Sequence, residues 1–291
     1  MKYRITHTTT FIYKASAGLC YNEARMLPRG LPYQEVFSAS LEIDPLPQDY
    51  YERFDYFGNR TVYFSIQQPH DKMVVTAVSE VETGVSPLIE GAETLSWEMA
   101  RDRLRSDLSD EIVTASQFVL DSSMVTVSDQ LLNYAQPSFP PGRPLMEAVN
   151  DLMQRIYQEF KYDPEFSTIA TPLKEVLAHR SGVCQDFAHL AIGCLRSLGL
   201  AARYVSGYIE TLPPPGKERL VGADASHAWF SVCLPGFGWL DFDPTNNQLP
   251  GDRHMTVAWG RDFADVTPLK GVAFGSGKHK LKVSVDVLPI G

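Results

Sequence analysis

Branched and aromatic side chains gather in short runs over the first part of the chain. Residues 4–13, 36–43, 61–66 and 73–81 each read as a strand, because such side chains fit a pleated, half-buried surface. Turn residues separate the runs: Pro28-Arg29-Gly30, Pro45-Leu46-Pro47, Gly58-Asn59 and Pro69-His70-Asp71. Strands at this spacing predict a sandwich or a barrel-like sheet. His7 and His70 stand alone there and read as surface or packing residues.

The pattern changes after Gly84. Residues 94–105 and 109–120 have the mixed-charge texture of helices, and Pro137-Ser138-Phe139-Pro140-Pro141-Gly142 is a break. Leu145, Ala148, Val149, Leu152, Met153, Ile156, Tyr157 and Phe160 then recur at helical spacing. They predict a helix whose apolar stripe is core, with Pro144 at its first position. Thr171-Pro172 reads as the cap and first turn of a short helix over residues 173–179. The next helix has Ser181 as its expected N-cap and Gly199 as its end. One face of it carries Cys184, Phe187, Ala188, Ala191, Ile192, Leu195 and Leu198. Residues 202–209 read as a strand and 212–216 as a loop. Residues 226–234 and 239–243 read as a hairpin across Pro235-Gly236-Phe237-Gly238. The alternating tail, 281–288, reads as a last strand. The fold class is α+β, a β-rich N-terminal domain over residues 1–90 and a core with a helical lead-in over residues 91–291. There is no internal repeat and no low-complexity segment.

Of the 291 residues, 44 % are hydrophobic and 21 % charged, which excludes whole-chain disorder and collagen-like structure. The formal charge of −9 argues against nucleic-acid and anionic-membrane partners, which want clustered Lys and Arg. No stretch reaches the roughly 20 apolar residues of a spanning helix. The opening MKYRITHTTTFIYK lacks the apolar segment of about 7–15 residues that marks an export signal. A cytoplasmic location is the expectation. Four cysteines, Cys20, Cys184, Cys194 and Cys233, are too few for a disulfide scaffold. Reduced thiols are therefore expected, and one of them is free to be a nucleophile.

Cys184 falls in the first turn of its helix. Unpaired backbone N–H groups and the positive end of the dipole favour an anion there, so the place suits a thiolate. The same N–H groups can hold an oxyanion formed on an attacked carbonyl. Cys184 also lies on the apolar face, which suits packing, and Cys194 in mid-helix reads as packing. A nucleophilic cysteine needs a base held by a third group. His189 points away from the cysteine face, and the direction of His179 is open. His227 shares a strand face with Trp229, Ser231 and Cys233, while Ala228, Phe230, Val232 and Leu234 form the core face. Cys233 is about 20 Å along the strand from His227 and cannot be its partner. With the hairpin turn centred on Gly236, Asp243 lies opposite Trp229 and Asp241 opposite Ser231. His227 is then the diagonal neighbour of Asp243, roughly 7–8 Å away at Cα. Asp243 is the better orienter of the imidazole, and Asp241 is the runner-up.

Four blocks then carry a resemblance: Ser181-Gly182-Val183-Cys184-Gln185-Asp186-Phe187-Ala188, Leu198-Gly199-Leu200-Ala201-Ala202-Arg203-Tyr204-Val205-Ser206-Gly207, His227-Ala228-Trp229, and Gly238-Trp239-Leu240-Asp241-Phe242-Asp243-Pro244-Thr245. In order and spacing they resemble the core of the transglutaminase-like superfamily over residues 145–250. The β-rich start resembles the region that precedes this core in many bacterial members. The resemblance implies a papain-like core, a cysteine-bearing helix packed on an antiparallel sheet that carries His and Asp. It implies Cys184 as nucleophile, His227 as acid/base, Asp243 as orienter, and acyl transfer through a thioester; no cofactor or metal is expected. Water as acceptor gives amide hydrolysis, and an amine gives crosslinking.

Cross-linking animal members have Trp directly after the cysteine, where this chain has Gln185. They also carry extra β-domains, for which this chain has no room, and calcium sites. No Asp-x-Asp-x-Asp-Gly calcium loop occurs here. The expectation is therefore hydrolysis of peptide or side-chain amides, with a peptide or protein as substrate. Asp186 either caps the helix or helps line the cleft. A metal hydrolase would need His-Glu-x-x-His or paired Cys-x-x-Cys, and neither occurs. The rival outside enzymology is a non-catalytic peptide- or protein-binding module on the same fold. Loss of Cys, His or Asp would mark it, and all three are present.

Overall fold

The computed structural model describes residues 1–85, 91–166, 168, 171–211, 226–275 and 277–291. The loop expected at 212–216 lies outside them. In chain order the strands of the first part are β1 (Lys2–Ala17), β2 (Leu19–Ala24), β3 (Gln34–Asp44), β4 (Asp49–Phe54), β5 (Arg60–Ile66) and β6 (His70–Thr83). A helical stretch follows with α1 (Trp97–Ser106), α2 (Asp110–Ser116), α3 (Asp129–Ala135) and α4 (Leu145–Glu159). Then come β7 (Lys161–Tyr162), α5 (Leu173–His179), β8 (Ser181–Gly182), α6 (Cys184–Ser197), β9 (Ala202–Ile209), β10 (Ser226–Leu234) and β11 (Gly238–Phe242). The chain closes with β12 (His254–Gly260), α7 (Phe263–Val266), β13 (Leu269–Phe274) and β14 (His279–Pro289).

Three four-stranded sheets organise the molecule, ordered β14-β1-β6-β3, β13-β2-β5-β4 and β11-β10-β9-β12. The first two form a sandwich. Tyr13, Ala17, Met73 and Val75 from one sheet bury against Cys20, Val62, Phe64 and Ile66 from the other. The third sheet carries α6 on one face, with α3, α4 and α5 packed around that helix. The helical stripe read from Leu145 to Ile156 is buried in the larger core.

Both sandwich sheets include the end of the chain. β14 pairs with β1 and β13 with β2, both antiparallel. The β-rich unit is thus built from both ends of the chain, which corrects the placement of residues 269–289 in a core over 91–291. Alternation alone identifies a strand but not its neighbour. β2, β4 and α3 were not legible either. β4 is exposed at nearly every position, so it lacks the burial pattern that marks a strand.

The units share one core. Tyr3 and Ile5 of β1, Val81 of β6, and Val285 and Val287 of β14 are buried with the α6 side chains. Buried polar contacts fasten the same seam. Tyr3 Oη donates to Glu210 Oε2 at 2.9 Å, and His7 Nδ1 shares a 2.9 Å hydrogen bond with Tyr208 Oη. The outer edge of β12 is satisfied by two side-chain amides. Gln34 accepts from Thr256 N (2.8 Å) and donates to Thr256 O (2.7 Å). Asn59 does the same for Trp259, at 2.9 and 2.8 Å. A bare edge strand invites unwanted pairing, and here the N-terminal unit occupies that edge.

Candidate active site

Local chemistry places Cys184 first. Val183, not Ser181, is the N-cap of α6, and Cys184 is the first helical residue. Ser181 and Gly182 instead pair with Lys161 and Tyr162 in a short parallel bridge, which holds the approach to the helix extended. The helices before it differ in the same small way, since Pro144 and Pro172 occupy N-cap positions. Asp186 accepts from Val183 N at 2.8 Å and so caps α6. Gly182 lies so close to that carboxylate that a Cβ would crowd it. The half-buried thiol is therefore held at a helix N-terminus by a cap two residues further on.

The hairpin supplies the other two groups. β10 and β11 pair Ser231 with Asp241 and Leu234 with Gly238, so the turn is centred on Gly236 as the spacing predicts. Regular pairing ends at Phe242, and Asp243 stands just beyond it. His227 Nε2 lies 2.8 Å from Asp243 Oδ2. That leaves Nδ1 as the nitrogen that can face a sulfur. The Asp243 carboxylate is fully buried. Its Oδ1 accepts from Thr245 N (3.0 Å) and Asn246 N (3.2 Å), a turn that grips it from below.

Electrostatics follow from these contacts. Burial pulls the His227 imidazole down, but hydrogen bonds with Asp243 and the Cys184 side chain outweigh it and push it up to about 10. Burial raises the Asp243 carboxyl, yet His227 and His254 hold it well below the usual carboxylate range. The other thiols are sealed. Burial pushes Cys233 up to about 12 and raises Cys20 and Cys194. All four cysteines are free.

The remaining candidates lie elsewhere. Asp241 accepts from Trp229 Nε1 at 3.1 Å and from the Ser231 hydroxyl, so it anchors the indole rather than His227. His189 is buried and accepts from Phe263 N at 3.1 Å. His179 rests against Phe166. His70 packs by Tyr13 and Cys20.

Cys184 and His227 open onto a cleft of about 300 Å³. One wall is α6, β9 and β10. The other is the sandwich, through His7, Thr9 and Phe11 of β1 and Leu281 and Val283 of β14. A larger groove of about 500 Å³, on β13-β2-β5-β4 among Tyr21, Tyr51 and Tyr63, contains none of these groups.

The sequence reading passed over two neighbours. Half-exposed Tyr162 stands edge-on to Phe187 of α6, and its phenol is raised by burial and by Cys184. His254 Nε2 lies 3.1 Å from Asp243 Oδ2. Its only signal was a histidine opening the β-rich run after Pro250-Gly251.

His227, Asp243 and His254 come close enough together to suggest a metal centre. The donor chemistry argues otherwise. Gly251 N donates to His254 Nδ1 at 3.3 Å, so the neutral ring carries its proton on Nε2, the nitrogen that faces Asp243. Asn246 Nδ2 donates to the same Oδ2 at 2.7 Å. A cation there would face N–H groups, and metal-bound histidines normally donate from their other nitrogen.

Residues 3–82 match the bacterial transglutaminase-like N-terminal region, and residues 133–244 match the transglutaminase-like superfamily. An uncharacterized protein of Mycobacterium tuberculosis is 43 % identical over 296 residues, spanning 99 % of this chain and 93 % of its own. One of Mycobacterium leprae is 30 % identical over 288 residues, spanning 98 % and 97 %. The chain belongs to the transglutaminase-like superfamily, in the bacterial form with that N-terminal region. Its fold is shared with a candidate cysteine protease from Cytophaga hutchinsonii, with a TM-score of 0.76 at 22 % identity over 100 % of this chain and 92 % of that one. No helix among the described residues is long and apolar enough to cross a membrane.

Proposed function

We propose that this protein is a cysteine-dependent acyl-transfer enzyme with Cys184 as nucleophile, His227 as general acid/base and Asp243 as orienter. One observation carries the reading. His227 is bound through Nε2 to a buried carboxylate, and its other side couples to a sulfur at a helix N-terminus. An imidazolium that persists to about 10 is a fit partner for a thiolate. Attack by the Cys184 sulfur on an amide carbon forms a tetrahedral oxyanion, which N–H groups at the start of α6 can receive. His227 passes its proton to the leaving amine, and a thioester remains. Water, deprotonated by His227, then attacks the thioester; the C–S bond breaks, the carboxylic acid leaves, and the thiolate is restored beside the His227 imidazolium. The substrate class is a peptide or side-chain amide, with hydrolysis preferred over crosslinking because Gln185 follows the cysteine. A reducing, cytoplasmic setting suits a free nucleophilic thiol.

The test needs no known substrate. Each cysteine is alkylated with iodoacetamide across pH and read by mass spectrometry, in wild type and His227→Ala. Cys184 is expected to react well ahead of the other three near neutral pH. Loss of a positioned base costs about 10²–10⁴ in rate, so at least a tenfold slowing is expected in the variant. A Cys184 no faster than buried Cys194 would move the site to the non-catalytic binding-module reading.

A further inference from the structure

The triad proposed above rests on an aspartate that no sheet ladder holds. Asp243 follows the last paired residue of β11. Its turn grips Oδ1 through Thr245 N and Asn246 N and reaches Oδ2 only through the Asn246 side chain, whose Nδ2 donates at 2.7 Å. Oδ2 must also face His227, and a side chain of the same short turn is a grip that moves with the turn, so a donor from a separate strand adds an independent anchor. His254 reaches Oδ2 from β12, on the far side of β9 from His227.

Two features of the sheet make that reach possible. Gly207 of β9 pairs with His227, and a Cβ there would overlap the Met255 carbonyl oxygen and the Trp229 ring. The bare backbone lets the Trp229 indole cross β9 and stand edge-on to His254, with ring centroids 5.3 Å apart. Asp241 fixes that indole in turn. The His254 ring is therefore oriented by packing, and its tautomer by Gly251 N. Both of its nitrogens are engaged. Unlike His227, it does not line the cleft that holds Cys184.

We infer that His254 is a positioning residue, an Nε2–H donor that locks the Asp243 carboxylate so that His227 stays aimed at Cys184. It touches neither the sulfur nor a substrate, and it acts through Asp243. The inference rests on the triad reading.

The experiment measures Cys184 alkylation by iodoacetamide on the full chain at pH 6.5 and pH 10, together with thermal unfolding. His254→Phe keeps a ring against Trp229 and removes the donor, while His254→Gln keeps an N–H donor. In His254→Phe the rate at pH 6.5 falls about tenfold, as expected when a reacting group is slightly misplaced. The rate at pH 10 stays close to wild type, and His254→Gln recovers most of the loss. His254 also borders a cavity of about 240 Å³ beside Trp229. Added imidazole should therefore enter His254→Ala and restore the neutral-pH rate.

Equal slowing at both pH values alongside a lowered Tm, or wild-type reactivity in His254→Phe, would make His254 a packing residue and overturn the inference. Failure of all three variants to fold would do the same. The two readings fail separately. If wild-type Cys184 is unreactive, the triad itself falls. If His227→Ala slows it and His254→Phe does not, only the role of His254 falls.

Discussion

Two aspartates on one strand face divide the labour between them. Asp243 binds His227, and Asp241 binds Trp229 and Ser231. Replacement of each by Asn separates the roles. Asp243→Asn removes the charge that stabilises the imidazolium, so neutral-pH alkylation of Cys184 should fall by about 10² or more. Asp241→Asn leaves that reaction within about twofold but lowers stability by about 1–3 kcal/mol, the usual cost of an imperfectly paired buried group. Alkylation kinetics and urea unfolding on both variants check the pair, and slow alkylation in Asp241→Asn would show that the indole also positions the site. The preference for Asp243 was legible because hairpin register follows from one turn. Its second imidazole partner was not, because His254 arrives from a strand that never pairs with β10 or β11.

At the scale of elements, the edge of β12 shows how the N-terminal unit serves the site. Gln34 and Asn59 each bind both backbone groups of one β12 residue, in place of a neighbouring strand. Gln34 is buried, so Gln34→Leu leaves the Thr256 N–H and C=O without those partners. Each orphaned group costs about 1–3 kcal/mol, and unfolding should shift to lower urea by an amount matching roughly 2 kcal/mol or more. Since β12 carries His254, neutral-pH Cys184 alkylation should fall too. An unchanged urea midpoint would show that water replaces the amide without loss.

For the molecule as a whole, two buried histidines set the response to acid. Burial lowers His7 and His189 to about 4. The unfolded chain takes up a proton on each near pH 6.5, and the folded chain does so only near 4. Stability is therefore full above pH 6.5 and is lost as pH falls toward 4, at about 1.4 kcal/mol per pH unit for each group. His227 runs the other way, since a raised imidazole stabilises below pH 6.5 and loses that contribution as pH climbs through about 10. Tm should drop from pH 7 to pH 5, and drop less in His189→Gln, whose carbonyl can still accept from Phe263 N. An equal drop in both chains would place the acid response elsewhere. His7 spans the seam between β1 and β9 and also lines the cleft, so acid should loosen the wall of the site along with the fold.

By itself the sequence determined what local periodicity and turn chemistry can encode. These were the strand-rich start, the α4 stripe, the placing of Cys184 in the first turn of α6, the β10–β11 register and the family resemblance. The tertiary structure alone decided which strands became neighbours. It returned β13 and β14 to the N-terminal sheets, set Gln34 and Asn59 on the β12 edge, walled the cleft with β1 and β14, and brought His254 onto Asp243. The physical reason is that alternation specifies which face of a strand is buried but not which edge it pairs with. A polar side chain such as Gln34 or His254 shows its role only once the backbone group or carboxylate it satisfies has been brought to it by long-range folding.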